Sequence, residues 1–205
     1  MNQNLQDKKT FQQNNKSQSY TELSQVKNDD LEFWKSEQDG VDAIHKLAET
    51  YYNQGNFTSA IYLCQKVLKK QANFAPVYKT LGNILQAQNK IDPAIRAYLL
   101  AIKINPNFIE AIVNLASMFY KKGLIDAAMI NYRKAIIMKP DLAVAYWNLG
   151  KVLEQEGRFY EAFFFQEKAL ELQPSLVDNT QNDHQDSHFQ KWNNLESKIG
   201  SDGTL

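Results

Sequence analysis

Cysteine is almost missing from this 205-residue chain, and the lone thiol of Cys64 has no mate for an internal bridge, so a disulfide-stapled scaffold is excluded. Neither sign of charge is in excess: 23 Lys and Arg stand against 23 Asp and Glu. No apolar run approaches the roughly 20 residues of a membrane-spanning helix. The Asn/Gln-rich start also lacks the basic-then-apolar stretch of a secretory signal, and the expectation is a reducing, cytoplasmic setting. Chemistry is equally sparse. There is no glycine loop for phosphate, no Cys-x-x-Cys pair and no Gly-x-Ser-x-Gly elbow, so catalytic residues, cofactors and metals are not expected. His184 and His188 stand four apart beside Asp183 and Asp186, but without a further His or Cys they read as part of a polar linker.

The neutral total hides an uneven distribution. Residues 1–40 carry 5 basic and 7 acidic side chains, residues 41–176 carry 16 and 11, and residues 177–205 carry 2 and 5. The middle is therefore modestly basic. Its positive charges are dispersed rather than gathered into a stripe, which argues against nucleic acid and fits a mild preference for acidic peptides.

What is present is a period. From Val41, steps of 34 residues divide the chain into 41–74, 75–108, 109–142 and 143–176 without insertions. Place seven of each segment is Leu47, Leu81, Leu115 and Leu149; place eight is Ala48, Gly82, Ala116 and Gly150; place twenty is Ala60, Ala94, Ala128 and Ala162. Other places vary within a chemical type, as in Ile44, Tyr78, Ile112 and Tyr146. Apolar spacings of three, four and seven predict two amphipathic helices per segment, A and B. The break between them falls at Gly55, Asn89, Gly123 and Gly157, residue types that tolerate left-handed backbone after a helix end. Pro106, Pro140 and Pro174 close helix B in the last three segments by removing an amide donor and restricting the preceding residue. The small residues at places eight and twenty predict close backbone approach where A crosses B.

These residues resemble the tetratricopeptide repeat (TPR) family: Leu-Gly/Ala, an aromatic, Gly, Ala, Tyr/Phe, Ala and Pro recur at its spacings. Individual departures are Cys64 and Gln166 for the helix-B aromatic, Val67 for a small residue and Ala72 for the proline. The strict 34-residue step separates the chain from the 35-residue repeats that read RNA bases. The resemblance implies an all-α, right-handed α-solenoid of stacked helix-turn-helix repeats over 41–176. It further implies a non-enzymatic scaffold or adaptor that holds an extended peptide or a helix of a protein partner in a concave groove lined by the A helices. The alternative is the targeting module of a larger enzyme, such as a glycosyltransferase, whose catalytic domain lies elsewhere. Weak homo-oligomerisation through exposed repeat ends is a further implication.

Places five, six, nine and twelve are expected to line the groove. The site residues are Lys79 and Asn83 in repeat 2, Val113, Asn114, Ser117 and Tyr120 in repeat 3, and Trp147, Asn148 and Lys151 in repeat 4. His45, Lys46, Glu49, Tyr52, Thr80, Gln86 and Glu154 fill the remaining places. Amide side chains suit a peptide backbone, Val113, Tyr120 and Trp147 an apolar anchor, and Lys79 and Lys151 an acidic group. His45 is expected on the groove or surface and Cys64 in the core. Among TPR domains resembling chaperone co-factors, a carboxylate clamp is matched by Lys79, Asn83 and Asn114, but Val144 and Asn148 replace its basic half. The asparagine ladder of the repeats in front of O-linked N-acetylglucosamine transferases is matched by Asn114 and Asn148, not by Lys46 or Thr80.

The ends differ in kind. Residues 1–40 are polar enough for disorder to be the expectation. Their Leu31, Phe33 and Trp34 are read as a short cap on the first repeat, a partner motif, or nothing ordered. In 177–205, Phe189, Trp192, Leu195 and Ile199 suggest an amphipathic capping helix after a polar linker, or else a dimer or partner contact. Of Phe163, Phe164 and Phe165, at least one is expected to face outward.

Overall fold

The computed structural model describes residues 40–176. The expectations for residues 1–39 and 177–205, including the pair His184 and His188 and the two sets of terminal aromatics, lie outside the described residues.

Among the described residues the chain forms eight α-helices and no strand: α1 Val41–Asn53, α2 Phe57–Lys70, α3 Ala75–Ala87, α4 Ile91–Ile104, α5 Ile109–Lys121, α6 Ile125–Met138, α7 Ala143–Gln155 and α8 Phe159–Leu172, followed by a short 3-10 turn at Pro174–Leu176. The A helices (α1, α3, α5 and α7) begin at 41, 75, 109 and 143, and the B helices at 57, 91, 125 and 159. Both series advance by 34, so the periodicity read from the residues is the periodicity of the backbone. The architecture is the all-α class of stacked helix-turn-helix repeats.

The A-to-B turns have a local cause. Gly55, Asn89, Gly123 and Gly157 adopt φ values of 75°, 56°, 79° and 73°, the left-handed region. That geometry lets two amides fold back onto carbonyls left open at the end of helix A. Asn56 N–H donates to Tyr51 O and Gly55 N–H to Tyr52 O, both at 2.9 Å. The same pair recurs as Lys90 to Leu85 and Asn89 to Gln86, and again as Arg158 to Leu153 and Gly157 to Glu154. The B helices end alike: Gln71, Asn105, Lys139 and Gln173 leave helical geometry with ψ of 94°, 95°, 89° and 88°, before Ala72 as well as before Pro106, Pro140 and Pro174.

The described residues divide into two compact units, one ending at Lys122 and the other beginning at Gly123. In the first, α1 and α2 pack through Ile44, Ala48, Leu63, Cys64 and Val67, and Val77 of α3 closes the cluster. A second cluster joins α4 to α5: Ala94, Ile95 and Tyr98 meet Leu115 and Met118, with half-buried Ile91, Ile102, Leu85 and Phe119 around them. Burying each such large apolar side chain contributes roughly 1.5–3 kcal/mol. In the second unit α7 packs against both α6 and α8, and Leu149, Val152, Leu153, Ala162 and Ala169 are buried. All eight small residues at places eight and twenty are buried. A β-carbon built on Gly82 falls 2.5–2.8 Å from the Tyr98 ring, and one on Gly150 falls 2.6 Å from Gln166 Cγ and 3.0 Å from the Ala162 carbonyl oxygen. Size is the constraint at place eight.

Candidate protein-interaction surface

Each A helix presents places five, six, nine and twelve along one stripe, because steps of three and four residues return to the same side of a helix. In the first unit this stripe is cross-linked by side chains. Glu49 on α1 accepts a hydrogen bond from Lys79 Nζ on α3 at 3.0 Å, with the two side chains 37 % and 21 % exposed. Asn83 Oδ1 on α3 accepts from Asn114 Nδ2 on α5 at 2.9 Å and from the Tyr98 hydroxyl at 2.8 Å. The same hydroxyl lies 2.9 Å from Gln86 Oε1, so one proton serves two acceptors, and burial first, then the nearby Tyr52, pushes its pKa up.

Two consequences follow for the expected site. Lys79 faces Glu49, so its charge is already compensated rather than offered to an acidic ligand. Asn83 uses its oxygen inside the protein and has no partner for its Nδ2 donors among the described residues, while Asn114 retains its Oδ1 as an acceptor. A donor and an acceptor on adjacent A helices match the alternating carbonyl and amide groups of an extended peptide. Ser117 and Tyr120 are half-buried on α5 with polar or ring interactions of their own.

Three expectations are corrected. Val113 is 7 % exposed, as an apolar side chain enclosed by its surroundings is; it is a packing residue, not an open seat for an apolar anchor. His45 and Thr80 are 7 % and 1 % exposed, since they hydrogen-bond to each other at 2.9 Å across the seam between α1 and α3. The imidazole also meets the Phe74 ring edge-on, with centroids 5.4 Å apart. Desolvation lowers its pKa below the usual histidine value, opposed by the Glu49 carboxylate and helped by Lys79. Cys64 is buried as expected. Desolvation, reinforced by Glu49, pushes its thiol up to about 12.

In the second unit Trp147 and Asn148 are half-buried on α7, and Lys151, four residues after Trp147, is exposed on the same side. Gln166 stands at the repeat place of Tyr98 and is likewise buried; its Nε2 donates to Glu154 Oε2 at 3.4 Å. Phe164 is 61 % exposed, as expected of one member of its aromatic run. Among the described residues no cluster of three or more His, Cys, Asp or Glu side chains is placed to hold a metal, and no helix is long and apolar enough to cross a membrane.

The pairings at offsets of 30 and 31 residues were not read from the sequence. Their signal is a recurring link from place nine of one repeat to place five or six of the next, as in Glu49 to Lys79 and Asn83 to Asn114.

Family models described as TPR repeat match residues 82–123 and 116–157, and models described as tetratricopeptide repeat match 41–72 and 143–176. The chain belongs to the tetratricopeptide repeat family. Two crystal structures of MamA resemble this TPR chain at 28 % identity: one with a TM-score of 0.61 covering 72 % of this chain and 86 % of MamA, the other with 0.58 covering 71 % and 80 %. A mutant form of MamA, at 22 % identity, matches in fold with a TM-score of 0.53 over 68 % of this chain and 81 % of its own. No curated protein matches the TPR sequence significantly. Membership makes the chain a protein-interaction scaffold in the general sense.

Proposed function

We propose that this TPR chain is a non-enzymatic cytoplasmic adaptor whose A-helix stripes hold an extended peptide or a helix of a partner protein. The observation that carries this is the Asn83–Asn114 pair: a hydrogen bond between adjacent A helices fixes both amides on the stripe, and both stay half-buried, with donor and acceptor atoms that have no further partner among the described residues. Lys79 is neutralised by Glu49 and the neighbouring Asn83 and Asn114 are uncharged, so this part of the stripe suits backbone recognition more than an acidic tail. Trp147, Asn148 and Lys151 form a separate candidate surface on α7, where the indole supplies an apolar contact and the ammonium a charge-assisted bond. The affinity expected is modest, because the entropy lost in ordering an extended ligand offsets part of the favourable interaction.

The test is selection of peptides from a random library against the full chain, followed by calorimetric titration of the selected peptide. Asn114→Ala leaves Asn83 Oδ1 bonded to Tyr98, so the fold persists, and binding should weaken about tenfold, the equivalent of roughly 1.4 kcal/mol. Unchanged affinity for Asn114→Ala and for Trp147→Ala, with helicity intact by circular dichroism, would show that neither surface is the site.

A further inference from the structure

Charge is divided unevenly between the two units. Among the described residues the first holds ten Lys and Arg against four Asp and Glu, and the second six against seven. Two of the first unit's four acids are already engaged across helices, Glu49 with Lys79 and Asp92 with Lys122. The positive surplus gathers on the B helices. Helix α2 carries Lys66, Lys69 and Lys70 and no acidic residue, while α4 carries Arg96 and Lys103 and its one acid is Asp92.

Helical spacing puts these cations beside exposed apolar surface. Arg96, Leu99, Leu100 and Lys103 follow one another at steps of three, one and three residues, which is a single face of α4. The two leucines are 46 % and 44 % exposed. On α2, Lys66 and Lys69 occupy the repeat places of Leu100 and Lys103, and because α2 and α4 both pack on α3, equivalent places on them point to the same side of the unit. Lys66 keeps its ammonium 4.7 Å from the centroid of the Tyr62 ring, a contact that holds the charge in position without cancelling it. Among the described residues no carboxylate pairs with Lys66, Lys69 or Lys103. Lys66 also stands three and four residues from Lys69 and Lys70, so like charges repel along α2.

The repeat does not demand this composition. In the second unit the same places of α8 hold Phe164, Glu167, Lys168 and Glu171, and Lys168 bonds to Glu171 at 2.6 Å. Arg133 of α6 faces Glu161 of α8 at 4.0 Å. Cations are matched there within the protein, whereas on α2 and α4 they await a partner of opposite sign.

We propose that Lys66, Lys69, Arg96, Leu99, Leu100 and Lys103 form a second docking surface, separate from the A-helix stripe, whose occupant is an acidic amphipathic helix of a partner protein. Two adjacent leucines offer the width of one helix's apolar side, and carboxylates along the edges of that side meet the flanking cations. Half-exposed leucines give little to insert among lipid chains, and a nucleic-acid strand would call for aromatic stacking instead. The chain thereby engages two polypeptides at once, one along its A helices and one on its B helices.

The test is fluorescence anisotropy of the full chain with a labelled designed peptide of about 18 residues, long enough to be helical when bound, carrying leucines at steps of three and four flanked by glutamates. Lys69→Glu with Lys103→Glu should weaken binding by about tenfold or more, and so should Leu99→Ser with Leu100→Ser. Lys134→Glu with Ile137→Ser, on exposed positions of α6, should leave it unchanged. A peptide of the same composition in scrambled order should bind about tenfold more weakly. Equal binding of the scrambled peptide, no binding even at low salt, or an affinity indifferent to the α2 and α4 variants with helicity intact by circular dichroism overturns the proposal. So does tighter binding to vesicles of phosphatidylcholine with phosphatidylserine, or to a single-stranded oligonucleotide, that the same variants abolish, because the face then serves a lipid surface or a nucleic acid. Asn114→Ala separates this surface from the A-helix stripe: it should leave the affinity for the acidic peptide unchanged, and a loss would place that peptide on the stripe and overturn the assignment to α2 and α4.

Discussion

Tyr98 and Gln166 occupy the same place in the second and fourth repeats, yet the two helix pairs use it differently. The Tyr98 ring lies against Gly82 and its hydroxyl meets Asn83 and Gln86, so a large aromatic is both packed and satisfied. Gln166 lies against Gly150 and reaches only Glu154, and its buried Oε1 has no hydrogen-bond partner among the described residues. One place in the repeat therefore carries either an aromatic whose polar tip is satisfied or an amide that is satisfied only in part. The period specifies where a side chain points, whereas the polar group at its tip decides how firmly the A and B helices are joined.

The sharpest way to break this comparison is to fill the two glycines. Gly82→Leu must displace a ring whose hydroxyl proton is shared between Asn83 and Gln86 and is expected to cost about 3 kcal/mol, while Gly150→Leu meets a more pliable glutamine and should cost about 1–2 kcal/mol. Urea unfolding of both variants checks the order, and equal losses would refute the contrast between the two places.

Smaller and of opposite sign are the effects of removing the polar tips. Tyr98→Phe leaves Gln86 without its donor and should destabilise by about 1 kcal/mol. Gln166→Met removes a buried acceptor that has no partner among the described residues and should stabilise by about 0.5–1 kcal/mol. A gain from both changes, or a loss from both, would show that the two places are equivalent after all.

The smallest effect concerns pH, because Glu49 pulls against the burial that lowers the His45 pKa. As pH falls below about 6.5, the unfolded chain takes up this proton before the folded one does. Stability is therefore full above that pH and declines as pH drops toward the folded pKa, with a slope of at most about 1.4 kcal/mol per pH unit. His45→Gln should flatten the slope between pH 7 and 5 in thermal unfolding; an unchanged slope assigns it to other groups.

Much of the fold was legible because the repeat's signals are local. Gly55, Asn89, Gly123 and Gly157 announced the left-handed turns, and the small residues at place eight announced the close crossings, since both depend on a single residue's sterics. The candidate site was legible only in outline. Its stripe followed from helical geometry, but Val113 and His45 turned out covered, because coverage depends on side-chain length and on neighbours from other helices. The bonds from Glu49 to Lys79 and from Asn83 to Asn114 were illegible for a related reason: their offsets of 30 and 31 residues are not the period, and only assembled A helices bring such places together.

Every A helix has 13 residues, every B helix 14, and each begins 34 residues after its counterpart. Adding or deleting one whole step would return each seam to an equivalent neighbour, whereas an insertion of a few residues within a helix would rotate one face of that helix away from its neighbour and so lose a seam. Change in the length of this module is thereby quantised, and lineages built on it are expected to differ by whole steps.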